Sequence, residues 1–380
     1  MSKLNKIFFG PAGTGKTRRA IEESIQIISE SKDLENIPNI QNYDICLKHF
    51  KKSSNPLSLD ISFDLIEKIH KDKSDLKKIL AQIPRGVEIT LKDMEKYKEN
   101  YSKYPLIETV TFHPSYTYQD FVEGISVETT DKNQIIYKVK DGIFKKICDR
   151  AIENPNYNYV LLIDEINRGD ISSIFGELFT LLEDSKRKGE NEELSINLPY
   201  SKDNKGNPKK LIVPSNLYII STMNTVDKSI ALIDVALRRR FDFEECMPRY
   251  DLKEFNKCKL INLSELLGIM NARITILKNE NYQIGHSYFL NITSIEDMRS
   301  VMQKSIIPLL QEYFYDDWKS ICAVLNQSYL NPKENKILKV VQENKKLFKN
   351  EFNDLTEYQN KKVFNLRIDF SANDIKEIYE

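Results

Sequence analysis

The chain of 380 residues has few cysteines, no long apolar run and no excess of either charge. Its five cysteines are scattered without a CxxC pair, which argues against a disulfide framework or a zinc site and favours reduced thiols in a cytoplasmic protein. No apolar stretch approaches the roughly 18 residues of a membrane span, so no membrane partner is expected. Lys plus Arg and Asp plus Glu both number 56, which disfavours binding to nucleic acid through bulk charge alone.

What the sequence does contain is a series of short apolar strands alternating with amphipathic helices. The fully apolar run at 160–163 is typical of a buried parallel strand, and 217–222 is predicted to be another buried strand. The pattern after residue 250 is mainly helical. This order predicts an α/β nucleotide-binding domain at 1–250 and a helical lid at 251–335. A charged, partly helical insertion is expected at about 31–105, and a tail of unassigned role at 336–380.

A glycine-rich loop follows the first predicted strand and precedes the first predicted helix. It fits the phosphate-loop pattern G-x-x-x-x-G-K-[ST], in which glycines let the backbone wrap a phosphate and the helix N-terminus faces the anion. Lysine then reaches the β- and γ-phosphates, and the hydroxyl that follows binds Mg²⁺. The predicted nucleotide-binding residues are Gly10, Pro11, Ala12, Gly13, Thr14, Gly15, Lys16 and Thr17.

Two carboxylates end the apolar strand at 160–163. Such a pair often only caps a turn, but beside a phosphate loop it places acids at the carboxyl edge of the sheet, where a phosphate-loop hydrolase needs them. The expected roles are Mg²⁺ binding for Asp164, together with Thr17, and polarisation of the attacking water for Glu165.

Polar residues also end the next apolar strand. Asn224 is expected to hold the attacking water in line, and Asp227 is a second catalytic candidate; both could instead cap the helix that follows. That helix closes on Arg238, Arg239 and Arg240. Basic residues suit a last helical turn in any protein, but three in a row indicate an arginine finger serving the site of a neighbouring subunit.

These features resemble the AAA+ superfamily and, within it, the McrB type. The narrower resemblance rests on longer strings, which occur in family order at 112–124 (FHPSYTYQDFVEG), 164–168 (DEINR), 222–229 (TMNTVDKS), 236–241 (ALRRRF) and 284–289 (IGHSYF). The resemblance implies an AAA+ P-loop fold, a three-layer αβα sandwich with a five-stranded parallel sheet, followed by an α-helical lid.

The same resemblance implies a hexameric ring that hydrolyses GTP with Mg²⁺, an McrC-like partner that carries the nuclease, and movement along DNA. No nuclease centre is expected in this chain. Arg239 and Arg240 match the positions most suited to a finger in trans, with Arg238 as a further candidate. His286 and Arg273 are candidates for lid contacts with the nucleotide, although His286 could equally be a packing residue.

The chain also departs from the family pattern. The signature loop ends in Lys228, where an arginine is usual, and lysine cannot make the planar bidentate contact of an arginine. Only nine residues precede Gly10, so DNA reading is expected from a separate subunit, from the segment at 31–105 or from a domain outside this chain. A helix-turn-helix over 77–101 is one interpretation of that segment; a solvated, charged insertion is the other.

Two other functions fit the same motifs. One is an ATP-dependent remodelling chaperone of the MoxR type that acts on proteins. The other is a nucleotide-switched assembly module, in which hydrolysis only times the binding of a partner. The residues themselves do not distinguish GTP from ATP, because no side chain in the sequence identifies the groups that would contact the base.

Overall fold

The computed structural model of the chain describes residues 4–31, 106–129, 133–226, 235–343 and 362–380. Most of the insertion expected at 31–105, including the helix-turn-helix interpretation of 77–101, lies outside these residues, as does Asp227. Contacts divide the chain into two units. The first consists of Met1–Phe9 with Lys16–Glu245, and the second of Gly10–Gly15 with Cys246–Glu380.

The first unit contains the strands and helices of the predicted nucleotide-binding domain. In chain order they are β1 (Asn5–Gly10), α1 (Lys16–Ser29), β2 (Ile107–Thr111), α2 (Tyr118–Phe121), β3 (Glu123–Thr129), β4 (Ile135–Asp141), α3 (Ile143–Glu153), β5 (Tyr159–Asp164), α4 (Ile171–Phe175), β6 (Ile196–Lys202), β7 (Pro208–Leu211), β8 (Leu217–Asn224), α5 (Val235–Arg240) and β9 (Asp242–Glu245).

Five of these strands form one sheet in the order β2-β5-β8-β1-β9. β5 pairs in parallel with β2 on one side and β8 on the other, and β1 pairs in parallel with the edge strand β9. β8 joins β1 through the Ile219 N–H, which donates to the Leu4 carbonyl at 2.8 Å. The expected five-stranded parallel sheet is therefore confirmed, and its order places β5 and β8 side by side.

The apolar runs form β5 and β8 because both faces of these strands are covered. The side chains from Val160 to Ile163 are at most 1% exposed, and Ile219 and Ile220 are fully buried. Parallel strands covered on both faces show such continuous apolar runs. After β5, α4 stops at Gly176, which takes a positive φ of 50°, and a 3₁₀-helical stretch continues to Leu182.

Two antiparallel hairpins, β3–β4 and β6–β7, lie outside the main sheet, and a buried ion pair connects them. Glu123, at the start of β3, is fully buried and accepts hydrogen bonds from the backbone N–H groups of Tyr200 and Ser201 and from the Ser201 hydroxyl. Lys145 on α3 donates to Glu123 at 3.2 Å and to Asp141 at 2.5 Å. The network fixes both hairpins to α3.

These contacts shift the acid–base behaviour of the pair. Burial alone would raise the pKa of Glu123, but the hydrogen bonds from Ser201, the backbone and Lys145 outweigh it and hold the pKa below its usual range. Burial would likewise lower the pKa of Lys145, but its bonds to Asp141 and Glu123 raise it. Both groups are therefore held in their charged forms.

The second unit contains the predicted lid helices and, beyond them, a small sheet. Its elements are α6 (Leu263–Leu277), α7 (Ile295–Val301), α8 (Ile307–Phe314), α9 (Trp318–Val324), β10 (Leu338–Glu343), β11 (Lys362–Leu366) and α10 (Ala372–Lys376). A π-helical turn at Met302–Ile306 lies between α7 and α8, and α8 is followed by Tyr315, whose φ is 54°.

The tail is part of this second unit. The ring of Phe364 on β11 lies 5.6 Å from that of Trp318 on α9, and the Arg299 guanidinium donates to the Phe370 carbonyl. Neither β10–β11 nor α10 was expected from the lysine- and asparagine-rich sequence. Among the helices that the structure describes, none is both long enough and apolar enough to span a membrane.

Candidate functional site

The phosphate-loop sequence forms a tight turn between β1 and α1. Gly13 and Gly15 have φ values of 77° and 81°, a region that side chains with a Cβ rarely adopt. The Thr14 hydroxyl donates to the Pro11 carbonyl at 2.9 Å, which closes the turn. α1 then begins at Lys16, which is 7% exposed. Backbone N–H groups at the start of such a helix are suited to bind an anion.

Thr17 and Asp164 lie next to each other although 147 positions separate them in the sequence. The Thr17 hydroxyl is 3.4 Å from Oδ1 of Asp164. A hydroxyl and a carboxylate are hard oxygen ligands of the kind that Mg²⁺ prefers. The two residues predicted to hold the metal therefore converge and provide suitable donor atoms. The described residues contain no cluster of three or more histidine, cysteine or acidic side chains that would hold a metal ion instead.

Glu165 directly follows β5 in a left-handed backbone conformation, with φ 53° and ψ 49°. This conformation costs a residue with a side chain about 1–2 kcal/mol, and such strain is concentrated at functional sites. The Asn224 amide donates a short hydrogen bond to Oε1 of Glu165. Nε of Arg168 lies 3.6 Å from Oε2 of the same carboxylate. The carboxylate thus accepts a hydrogen bond from Asn224 and has the Arg168 guanidinium nearby, at the carboxyl edge of the sheet.

Comparisons with known proteins identify the family of this chain. The model of the "McrB, alpha-helical lid domain" family matches residues 262–322, and that of the "AAA domain (dynein-related subfamily)" matches residues 95–241. The chain is 38% identical over 277 residues to the "Type IV methyl-directed restriction enzyme EcoKMcrB subunit" of Escherichia coli K12, an alignment that covers 66% of this chain and 57% of that protein. The chain belongs to the McrB type of AAA+ proteins.

A second relative comes from Bacillus subtilis 168. This protein, the "Type II restriction enzyme BsuMI component YdiS", is 26% identical over 301 residues, which cover 66% of this chain and 86% of the relative. The chain thus spans a little over half the length of the E. coli protein and most of the B. subtilis protein.

The three arginines of this McrB-type chain have different surroundings. Arg240 forms an ion pair with Glu183 at 2.7 Å and lies 4.9 Å from the centre of the Phe179 ring. Arg238 lies 5.4 Å from the centre of the Phe243 ring. Arg239 is exposed. Of the three predicted fingers, Arg238 and Arg239 are both exposed, and Arg238 has the Phe243 ring as a neighbour, whereas Arg240 is held within its own unit.

The two lid candidates also differ. Arg273 on α6 donates to the Val324 carbonyl at 3.1 Å, and burial lowers its pKa, so its guanidinium is used inside the lid. His286 accepts the Arg249 backbone N–H on Nδ1 at 3.1 Å. Since Nδ1 is the acceptor, the proton of a neutral His286 resides on Nε2. Nε2 lies 3.8 Å from the position that a Cβ would take on Gly15.

The segment that carries His286 packs closely on the phosphate loop. The Ser287 N–H donates to the Gly13 carbonyl at 3.0 Å. A Cβ on Gly285 would lie 2.2 Å from the Gly13 carbonyl carbon, so only glycine fits at that position. The side chain of the buried Asn271 on α6 also binds this segment, because it donates a hydrogen bond to the Ile284 carbonyl and accepts one from the Ile284 N–H. The string at 284–289 is therefore a phosphate-loop contact, which supports His286 as a lid candidate.

Three further residues of this site lie within the family strings at 164–168 and 222–229, but no role was predicted for them. Asn167 donates to the Asn224 carbonyl at 2.9 Å, and Arg168 approaches Glu165. The Thr222 hydroxyl accepts the Glu165 N–H at 3.1 Å and donates to Asp164. One available signal was spacing, because Thr222 and Asn224 are two residues apart on β8 and alternate residues share a face of a strand.

Proposed function

We propose that this chain is the nucleotide-hydrolysing motor subunit of a restriction complex and that it uses a nucleoside triphosphate with Mg²⁺. The observation that carries the proposal is the convergence of Thr17, Asp164, Glu165 and Asn224 at the end of β5 and β8. Phosphate-loop hydrolases require a metal ligand, a water-orienting acid and a phosphate loop.

Each residue has a distinct task in the proposed reaction. The phosphate loop and Lys16 bind the phosphates. Thr17 and Asp164 would hold Mg²⁺, which when bound would supply positive charge for the phosphate oxygens. Glu165 orients and deprotonates the attacking water. Asn224 fixes the Glu165 carboxylate, so that the base is in position before the substrate arrives. Asp227 remains a further candidate.

The finer parts of the proposal follow from the family. The two relatives are named as components of restriction enzymes, which supports a role in DNA restriction for this chain. We infer a preference for GTP over ATP, a hexameric ring and stimulation by an McrC-like nuclease subunit that couples hydrolysis to movement along DNA. Arg239 would then complete the site of the neighbouring subunit.

A competition assay tests this proposal. The purified chain is given GTP and ATP together with Mg²⁺, with and without the nuclease subunit encoded beside it, and the release of each diphosphate is followed. The proposal predicts preferential GTP turnover that rises when the nuclease subunit is added. Clear ATP preference with no response to that subunit would contradict it and favour a remodelling ATPase of the MoxR type.

A further inference from the structure

The Thr222 hydroxyl bridges the two acids of the site. Thr222 is 2% exposed on β8. Its Oγ1 accepts the backbone N–H of Glu165 at 3.1 Å and donates a short hydrogen bond to Oδ1 of Asp164. A hydroxyl has one proton, and here that proton is directed at the carboxylate expected to hold Mg²⁺. One atom therefore contacts the metal-binding acid and the backbone of the proposed base.

The two hydrogen bonds of Thr222 have different effects, one on the backbone of Glu165 and the other on the carboxylate of Asp164. Glu165 has a left-handed backbone at φ 53°, and such a conformation persists only where the surroundings hold it. The bond from its N–H to Thr222 is one such restraint. Asp164 also faces the Thr17 hydroxyl through Oδ1, so the bond from Thr222 to the same oxygen sets the direction of the carboxylate. Hydrogen bonds to a metal ligand orient it and tune metal affinity.

Ser221, the residue before Thr222, shows that a buried hydroxyl in β8 does not always form a hydrogen bond. Ser221 is fully buried next to Thr222, and its hydroxyl has no hydrogen-bond partner among the residues that the structure describes. Ser221 and Thr222 point to opposite faces of β8, because successive strand residues alternate. Only the face that carries Thr222 and Asn224 turns hydroxyl and amide groups towards the acids.

We infer that Thr222 is a positioning residue. Its hydroxyl directs the Asp164 carboxylate towards the Mg²⁺ site. The same hydroxyl holds the Glu165 backbone in the conformation that places the proposed base for attack on the nucleotide. The inference rests on the proposed function, since it assigns Thr222 a part in the same reaction. It extends that function by making metal affinity and turnover depend on a side chain that bonds to Asp164 and to the backbone of Glu165.

Replacement by valine and by serine tests this role. Thr222→Val keeps the shape and removes the hydroxyl, Thr222→Ser keeps the hydroxyl, and Ser221→Ala removes the neighbouring hydroxyl as a control. We expect Thr222→Val to lower kcat by about 10²-fold while KM stays within about twofold of the wild-type value. Thr222→Ser and Ser221→Ala are expected to retain turnover close to that of the wild type. Thermal unfolding of each variant verifies that it is folded.

A second readout does not depend on turnover. Binding of a fluorescent nucleotide is titrated with Mg²⁺, and the midpoint for Thr222→Val is expected at about tenfold higher Mg²⁺ than for the wild type. An unchanged kcat and Mg²⁺ midpoint in Thr222→Val would overturn the inference. So would a defect in Thr222→Ser as large as that in Thr222→Val, because keeping the hydroxyl would then give no advantage over losing it. Failure of the wild type to hydrolyse any nucleotide would instead count against the proposed function.

Discussion

The Asn224 side-chain amide donates to Oε1 of Glu165, which joins the end of β8 to the first residue after β5. The bond links two adjacent parallel strands at their carboxyl edge, where open α/β sheets bind their ligands. It also aims the carboxylate of the proposed base. If this preorganisation contributes to the reaction, its loss will affect turnover far more than nucleotide binding.

Removal of the Asn224 amide tests that expectation. We predict that Asn224→Ala lowers kcat by about 10²-fold or more, the effect of losing one preorganised donor, while the nucleotide Kd changes little. Steady-state turnover and equilibrium binding of a fluorescent nucleotide measure the two quantities separately. A parallel loss of binding and turnover would show that Asn224 supports the fold of the site and does not aim the base.

Thr17 provides a test of the metal site. Thr17→Ala removes the hydroxyl that lies 3.4 Å from Asp164, whereas Thr17→Ser keeps it. We expect the alanine variant to need about 10- to 100-fold more Mg²⁺ for half-maximal turnover, and the serine variant to need a concentration close to that of the wild type. Equal Mg²⁺ requirements for all three proteins would argue against Thr17 as a metal ligand.

The arginine-finger proposal makes a prediction about mixed oligomers. Arg239→Ala is expected to lower turnover by about 10³-fold or more without loss of thermal stability, because Arg239 is exposed. Mixing it with Glu165→Gln should restore part of the activity, since Glu165→Gln subunits supply a finger to the intact sites of Arg239→Ala subunits. Mixed oligomers that form but stay inactive would contradict a finger in trans at Arg239.

Arg240 serves as the matched comparison. It pairs with Glu183 and lies over the Phe179 ring within its own unit. Arg240→Ala is therefore expected to lower the free energy of unfolding by about 1 kcal/mol, the sum of a partly exposed ion pair and a cation–π contact. Urea unfolding measures this change. If Arg240→Ala regained activity on mixing with Glu165→Gln in the way predicted for Arg239→Ala, Arg240 would be the arginine finger.

The buried network at Glu123 predicts a pH-dependent stability. Glu123→Gln leaves Lys145 without its buried partner and is expected to lower the free energy of unfolding by about 3 kcal/mol at neutral pH. The pKa of Glu123 is depressed in the folded protein, so this contribution is present above the unfolded pKa of about 4.3 and is lost as the pH falls through the folded value.

Glu128→Gln is the control on the same hairpin. Glu128 pairs with Lys138 on the exposed side of β3–β4, where such a pair contributes about 0–1 kcal/mol. Urea unfolding at pH 7 and again near pH 3 compares the two variants. If Glu123→Gln and Glu128→Gln were equally stable at pH 7, the buried network would have no part in holding the hairpins.

The main sheet was predictable because its central strands leave strong signals. β5 and β8 are covered on both faces, so β5 is apolar from Tyr159 to Ile163 and β8 is apolar from Leu217 to Ile220. The phosphate loop and the acids after β5 are local motifs. β3 was not predicted, since its apolar residues Ile125 and Val127 are exposed, and neither a buried run nor a buried face marks it as a strand.

Thr222 shows the same limit within the site. The hydroxyl of a threonine in an apolar strand carries no local sign of its partner, which here lies 58 positions away on β5. The same holds for Asn167, whose partner is the carbonyl of Asn224. Residues that belong to a recognised motif can thus be predicted from the sequence. The residues that orient them can be identified only when it is known which strands are neighbours in the sheet.

The most direct test of the proposed function is a comparison of wild type and Glu165→Gln at matched nucleotide occupancy with Mg²⁺. Glutamine keeps the length of the side chain and its contact with Asn224 but cannot accept a proton from water. We predict that Glu165→Gln binds the nucleotide as tightly as the wild type and that kcat falls by about 10²–10⁴-fold. Turnover by Glu165→Gln at the wild-type rate would show that Glu165 is not the base and would contradict the proposed mechanism.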